Sequence, residues 1–301
     1  MMDGTTAATS SAPASPPSAD APLALVCGGG AVPAVVAAAV VRSGRKVVLF
    51  PVQGWATPET VAAYSHHWIK LGQIGRFAAL ARAEGCRDIV VIGTVLRPAM
   101  RDIRLDWTTL RLLPRIAGLF RGGDDRLLTG VGRILEEQGF RLVGAHEVAP
   151  DILVPPGVLT RTRPSARDES DIARGSAALA ALGPFDVGQA AIVADGYIVA
   201  IEAAEGTDAM LARVADLRRA GRLRTPPGVG VLVKAPKGGQ DRRFDLPSIG
   251  PRTIEGVAAA GLAGIAVVAG GAIMAEPDQL VAAADRNRLF VLGIGTGEGA
   301  R

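Results

Sequence analysis

Two cysteines, three histidines and 4% aromatic residues are the shortages of this 301-residue chain. Cys27 and Cys86 lie far apart in sequence. They form neither a metal-ligand spacing nor a disulfide framework, which points to a reducing, cytoplasmic setting. Of the histidines, His66 and His67 are consecutive and cannot face one ligand side by side on a helix or strand; His146 stands alone. No His-x-x-x-His pattern occurs, so histidine-based zinc chemistry is not supported. A P-loop and a Gly-x-Ser-x-Gly elbow are also missing. No apolar run reaches the roughly 18 residues of a membrane span. Residues 1–21 are rich in Ala, Ser, Pro and Thr, carry Asp3 where a signal peptide has base, and lack an apolar segment. They read as a disordered tail. The formal charge of +4 is spread out rather than gathered into a Lys/Arg block. Nucleic acid is therefore not expected as a partner, whereas anionic small molecules or an anionic membrane surface both fit.

What the chain does have is 49% hydrophobic residues, enough for a sizeable core built from Ala, Val, Leu and Ile. Short apolar runs at Leu23 to Cys27, Lys46 to Pro51 and Asp88 to Ile92 alternate with helical segments at Val32 to Ser43, Arg76 to Glu84 and Asp124 to Gln138. Such alternation predicts a parallel sheet with helices on both faces. A Pro-, Thr- and Arg-rich stretch at 153–168 reads as a linker. Beyond it, strands at Ala190 to Ala194 and Tyr197 to Glu202 flank Asp195-Gly196, a hairpin turn pair. Strands at Gly228 to Val233, Gly264 to Val268 and Leu289 to Ile294 follow, among helices. The expected fold class is α/β. It comprises a Rossmann-like N-terminal domain with a parallel sheet (22–152) and a mixed α/β C-terminal catalytic domain (169–296), with the site in the cleft between them.

The richest chemistry lies in Val231-Leu-Val-Lys-Ala-Pro-Lys-Gly-Gly-Gln-Asp-Arg-Arg-Phe-Asp245. A buried-looking strand runs into a Gly/Pro loop carrying two lysines, two arginines and two aspartates. Lys and Arg neutralise phosphate oxygens, and aspartates beside them can hold Mg²⁺ together with water and substrate phosphate. A salt-bridged surface turn is the other reading. Gly28-Gly29-Gly30 follows the first strand and can receive a phosphate on the next helix, or serve as a tight turn only. Pro33 breaks the dinucleotide fingerprint, so a classical NAD site is not expected. Gly93-Thr94 ends the third strand, at the edge where open α/β sheets bind ligands. Asp124-Asp125, after Gly122-Gly123, opens a helix, and capping alone accounts for the pair. Asp186-Val-Gly-Gln189 precedes one strand, and Glu202-Ala-Ala-Glu205-Gly-Thr207-Asp208 follows its partner. The latter reads as an acidic helix start that gains weight beside the lysine loop. Trp107 to Phe120 mixes Leu, Ile and Trp with Arg111 and Arg115, as interfacial helices do; packing on the core is the alternative.

Taken in order, the opening Gly-Gly-Gly, Gly-Gly-Asp-Asp, Asp-Val-Gly-Gln, Glu-Gly-Thr-Asp and Val-Lys-Ala-Pro-Lys-x-Gly-Gln-Asp resemble the UDP-2,3-diacylglucosamine pyrophosphatases. The branch is the one unrelated to the calcineurin-like enzymes. The likeness runs from about Leu23 to Gly293; Gly238-Gly239 departs from the proline expected in part of the family. The resemblance implies a Mg²⁺-dependent hydrolase of lipid A biosynthesis, cleaving its substrate to UMP and 2,3-diacylglucosamine 1-phosphate by attack of water on the β-phosphate. It implies Asp241 and Asp245, with Lys234, as catalytic residues, and Asp241, Asp245 and Asp208 as metal ligands. Gly29, Gly30, Gly93, Thr94, Asp124, Asp125, Gln189, Glu205, Thr207, Lys237 and Gln240 become substrate-binding candidates. The implied partner is an acylated nucleotide sugar, met during transient contact with the cytoplasmic face of the inner membrane. A nucleotide-sugar binding protein without hydrolytic activity is the alternative.

Overall fold

The structure is a computed structural model describing residues 20–95, 103–119, 124–185, 187–236, 241–244 and 246–295. The tail expected at 1–21 therefore lies, apart from residues 20 and 21, outside the described residues.

The N-terminal unit contains β1 (Leu23–Cys27), α1 (Val32–Arg42), β2 (Val47–Pro51), α2 (Pro58–Val61), α3 (Ile74–Ala83), β3 (Asp88–Ile92), α4 (Trp107–Leu119), α5 (Asp124–Glu137), β4 (Arg141–Leu142) and α6 (Ala145–Val148). Its four strands pair in parallel in the order β2-β1-β3-β4. Residues of β1 and β2 are buried almost throughout, because helices cover both faces of the sheet. Leu23, Leu25 and Leu49 pack with Val36 and Val40 of α1 on one side. Ala24, Val48 and Phe50 pack with Phe77 and Ala81 of α3 on the other. Gly44, with φ of 85°, takes the left-handed conformation that ends α1.

The start of β3 carries a buried carboxylate. Asp88 is 1% exposed and accepts from Arg45 Nη2 at 2.6 Å and Arg141 Nε at 2.9 Å. Those guanidiniums come from before β2 and from β4, so the ion triad ties both edge strands to the centre of the sheet. Asp88→Ala removes the carboxylate that both arginines share. It is expected to lower unfolding free energy by about 3–5 kcal/mol, the cost of breaking a buried pair from one side. Urea unfolding measures this directly.

The C-terminal unit contains β5 (Gly157–Val158), α7 (Ala166–Leu182), β6 (Ala190–Ala194), β7 (Tyr197–Ile201), α8 (Gly206–Arg219), β8 (Val231–Lys234), β9 (Ser248–Ile249), α9 (Pro251–Ala259), β10 (Gly264–Val268), β11 (Ile273–Met274), α10 (Pro277–Arg286) and β12 (Phe290–Ile294). Six strands run in the order β5-β12-β10-β8-β6-β7. The middle strands β8, β10 and β12 are parallel, while β5, β6 and β7 join antiparallel, which makes the sheet mixed. The segment 153–168, read from its composition as a linker, supplies β5 to the sheet edge. It also supplies the Ser165 cap of α7, whose hydroxyl accepts from the Asp168 amide. The hairpin turn takes positive φ at Asp195 and Gly196, as its residue pair requires. Asp171 of α7, 1% exposed, accepts from both turn amides at 2.9 and 2.7 Å.

Candidate active site

Two strand edges gather several of the residues singled out in the sequence. In the N-terminal sheet, β2 lies on one side of β1 and β3 on the other, so the order in which strands are added reverses beside the carboxyl end of β1. Such switch points open the crevice where doubly wound sheets bind ligands. Gly28-Gly29 and Gly93-Thr94 meet there. The Gly29 amide donates to Thr94 O, and the Thr94 amide donates to Gly29 O, both at 2.9 Å. A Cβ on Gly28 would come within 2.7 Å of the Gly93 carbonyl carbon, and one on Gly93 within 2.9 Å of Gly28 backbone. The glycines at 28 and 93 are thus required by two backbones crossing in contact. Gly30, with φ of 89°, turns the chain just before α1.

In the C-terminal sheet, the carboxyl ends of β8 and β7 and the start of β6 share one edge. Ala190 stands opposite Lys234, and Ala191 opposite Ile201. In the sheet β6 separates β7 from β8. The loops still converge. Lys234, the last residue of β8, is 5% exposed; its Nζ donates to Thr207 Oγ1 at 3.0 Å and to Ser248 O at 3.2 Å. The Thr207 hydroxyl donates onward to Glu202 Oε1 at 2.8 Å, and Glu202 Oε2 accepts from the Gln189 amide at 3.2 Å. An ammonium, a hydroxyl, a carboxylate and a backbone amide therefore form one connected network at the mouth of the sheet. Burial makes each of these bonds stronger than it would be in water, and each loss more costly.

Gly188 lies under the same network, because a Cβ there would meet Glu202 O at 2.0 Å. Gln189, Thr207 and Lys234 are thus brought together. Glu202, although part of the acidic segment, was not among the residues expected to form the site. Its signal was position: it follows β7, on the edge to which β8 delivers Lys234.

Other candidates stand apart from that network. Asp208 is exposed and pairs with Arg252 at 2.8 Å, and Glu205 pairs with Arg213 at 2.8 Å. Asp241 gives both carboxylate oxygens to Arg243, Oδ1 to Nε at 2.9 Å and Oδ2 to Nη2 at 2.7 Å. The Arg243 side-chain hydrogen bonds, opposed by partial burial, hold the Asp241 carboxyl below its ordinary range. Arg243 also reaches Glu136 of α5 at 3.0 Å, and the Phe244 ring lies where a Cβ on Gly132 would come within 2.6 Å. The Asp241 loop is thus fastened to a helix of the N-terminal unit. His146 sits beside it with a buried Nδ1 that has no hydrogen-bond partner among the described residues. Burial first, and then the charge of Arg242, pull its pKa below the ordinary value.

Lys237, Gln240 and Asp245 lie outside the described residues, as do the side chains of Asp124 and Asp125 at the start of α5. Among the described residues no three His, Cys, Asp or Glu side chains are disposed to hold a metal ion. Mg²⁺ does not require such a trio, since it binds through one or two carboxylates and completes its shell with water and substrate phosphate. An ionised Asp241 fits that donor chemistry. A carboxylate offers about four lone-pair positions, so an arginine fork does not exhaust it.

Residues 22–152 match the LpxI N-terminal domain and residues 155–292 the LpxI C-terminal domain. The UDP-2,3-diacylglucosamine pyrophosphatase LpxI of Caulobacter vibrioides is 40% identical over 272 residues, which cover 90% of this chain and 97% of that protein.

Proposed function

The chain belongs to the LpxI family, and on that premise we propose that it hydrolyses the diphosphate of UDP-2,3-diacylglucosamine to UMP and 2,3-diacylglucosamine 1-phosphate. The observation that carries this reading is the buried Lys234 ammonium at the carboxyl edge of the sheet, tied through Thr207 to Glu202. A diphosphate spreads negative charge over its oxygens, and cleavage concentrates charge on the departing UMP. A preorganised cation in a water-poor site stabilises that change at little reorganisation cost. Lys237, Gln240 and Glu205 are the further residues assigned to binding the diphosphate. The backbone turns at Gly29, Gly30, Gly93 and Thr94 hold another part of the substrate at the N-terminal switch point. Asp124 and Asp125, at the start of α5, would contact the substrate from the same unit. The Asp241 loop, fastened to α5, supports a substrate held between the two units.

Mg²⁺ would be held by Asp241 and Asp245, with Asp208 the remaining carboxylate candidate, and would supply charge neutralisation to the phosphate oxygens. For this chain's own groups the step is simple. Water oxygen adds to the β-phosphorus and the bond from that phosphorus to the bridging oxygen breaks. UMP keeps the bridging oxygen, and the water proton passes to solvent or to a carboxylate of the Asp241–Asp245 segment. In ¹⁸O-labelled water the label is expected in the sugar 1-phosphate; label in UMP would place the attack on the α-phosphate instead.

UMP release followed by chromatography separates the readings. Turnover is expected with Mg²⁺, with a fall of at least about 100-fold in EDTA and recovery on adding Mg²⁺ back, the scale expected when a charge-stabilising group is removed. Undiminished release in EDTA would remove the metal from the mechanism. Saturable nucleotide-sugar binding with no UMP under any condition would favour the non-hydrolytic binder. We also assign the protein to the cytoplasmic face of the inner membrane, because an acylated nucleotide sugar partitions into bilayers. Contact there is transient, and no helix among the described residues is long and apolar enough to cross a membrane.

A further inference from the structure

Resting on the reading that the substrate is acylated, we propose that the outer face of α4 is the surface on which this protein docks to an anionic phospholipid bilayer. Four of the ten large hydrophobic side chains exposed among the described residues fall in nine consecutive positions: Leu105, Trp107, Leu110 and Leu113. Trp107 is 67% exposed and Leu110 46%. Helical spacing puts two of them, Trp107 and Leu110, on one side. Thr109 and Ile116 are buried and turn one face of α4 inward. Trp107, Leu110, Arg111 and Pro114, at i, i+3, i+4 and i+7, form the opposite face. A surface helix ordinarily places polar residues there.

Charge selects the occupant. No acidic residue occurs in α4, whereas Arg111 lies over the Trp107 ring at 5.1 Å and Arg104 is exposed just before the helix. The carboxylate next to the helix, Asp106, is taken up by backbone amides. It accepts from the Thr109 amide and the Arg76 amide, both at 2.8 Å. Arg115, on the flank, is paired with Glu137 of α5 at 2.7 Å. An indole and leucines beside arginines that have no acidic partner among the described residues match the boundary of an anionic bilayer. There the rings and aliphatic chains enter the acyl layer while guanidiniums meet phosphates. A second copy of this chain would present the same arginines to one another across a two-fold contact, which disfavours self-association through this face.

The test uses full-length protein and vesicles of phosphatidylcholine alone or with 30% phosphatidylglycerol, about a third anionic lipid being enough to create a negative surface potential. Sedimentation with the anionic vesicles is expected, weakened by salt, with a blue shift in tryptophan emission that Trp107→Phe abolishes. Trp107→Asp combined with Leu110→Asp is expected to lower vesicle affinity about tenfold or more, a loss of about 1.4 kcal/mol or more. Circular dichroism and the unfolding midpoint verify that the variant is folded. In that variant, turnover of detergent-dispersed substrate should persist while turnover of vesicle-borne substrate falls. Equal binding by variant and wild type would overturn the proposal. A wild-type dimer in scattering that the variant converts to monomer, without any change in lipid binding, would overturn it in favour of a second copy. Failure of the wild type to release UMP would count against the hydrolase reading and leave vesicle binding to be judged by itself.

Discussion

Lys234→Met is expected to lower kcat/KM for the diacyl nucleotide sugar by about 10²–10³-fold, the scale of removing one preorganised donor from a developing anion. The substitution keeps the length of the side chain and removes its charge. Thr207 can still donate to Glu202 at 2.8 Å, so the network loses its cation while keeping its carboxylate anchor. Ser248 O, another acceptor, loses a donor. The fold should nevertheless persist, because an apolar replacement of similar shape at a buried position costs little beyond the unpaired acceptor, about 1–3 kcal/mol. Steady-state kinetics discriminate two roles. If the ammonium grips the diphosphate equally in substrate and transition state, KM rises and kcat stands; if it meets charge that develops on cleavage, kcat falls. The second pattern is expected. Lys234→Arg should rescue poorly, since a planar fork does not fit a seat built for a compact ammonium between Thr207 and Ser248. Wild-type activity in Lys234→Met would exclude this residue from the diphosphate site.

Asp241→Asn is the second large effect expected, with kcat reduced at least about 10²-fold, again the size of one lost preorganised charge. Asparagine is nearly isosteric, so the loop keeps its shape while the carboxylate charge disappears. Arg243 would lose its two-pronged partner and keep Glu136, 3.0 Å away on α5. A purely structural role for Asp241 would thus appear as lost stability with activity per folded molecule unchanged. The proposed role instead predicts a higher Mg²⁺ concentration for half-maximal turnover at an unchanged unfolding midpoint. Measuring both on one preparation decides between them. Glu136→Gln serves as the control, because it loosens the same arginine from the other side without touching Asp241.

Much of the architecture was legible because periodicity is a local property. Leu23–Cys27, Asp88–Ile92, Ala190–Ala194 and Gly264–Val268 are short, predominantly apolar runs, and each is a strand with the ends expected of it. Three of the two-residue strands, β5, β9 and β11, carry no such signal. Gly157–Val158 exists as a strand only because β12 offers it a hydrogen-bonding edge, and Ser248–Ile249 only because it pairs with Ile273–Met274. Helix α10 opens after Glu276, held at φ of 51°, a conformation that no acidic residue advertises in sequence.

The candidate site divides in the same way. Lys234 could be singled out from its position, a lysine ending an apolar run, because a buried strand end is where a cation is both costly and useful. Glu202 could not, since its part depends on β7 returning antiparallel to β6 and setting a carboxylate within reach of Thr207. Arg243 was hidden for a like reason, as its second partner, Glu136, is more than a hundred residues away.

The order of apolar and polar residues determined by itself that this chain would form α/β units and that cations and carboxylates would leave the end of one strand. Burial of side chains at fixed spacing is written in the chain and needs no distant partner. Only the tertiary structure decided which charges meet: Lys234 with Thr207 and Ser248, Asp241 with Arg243 and through it α5, and Trp107 with open solvent. Those outcomes depend on strand order and on helices from remote segments, and an ion pair has no energy until folding has brought its two halves to contact.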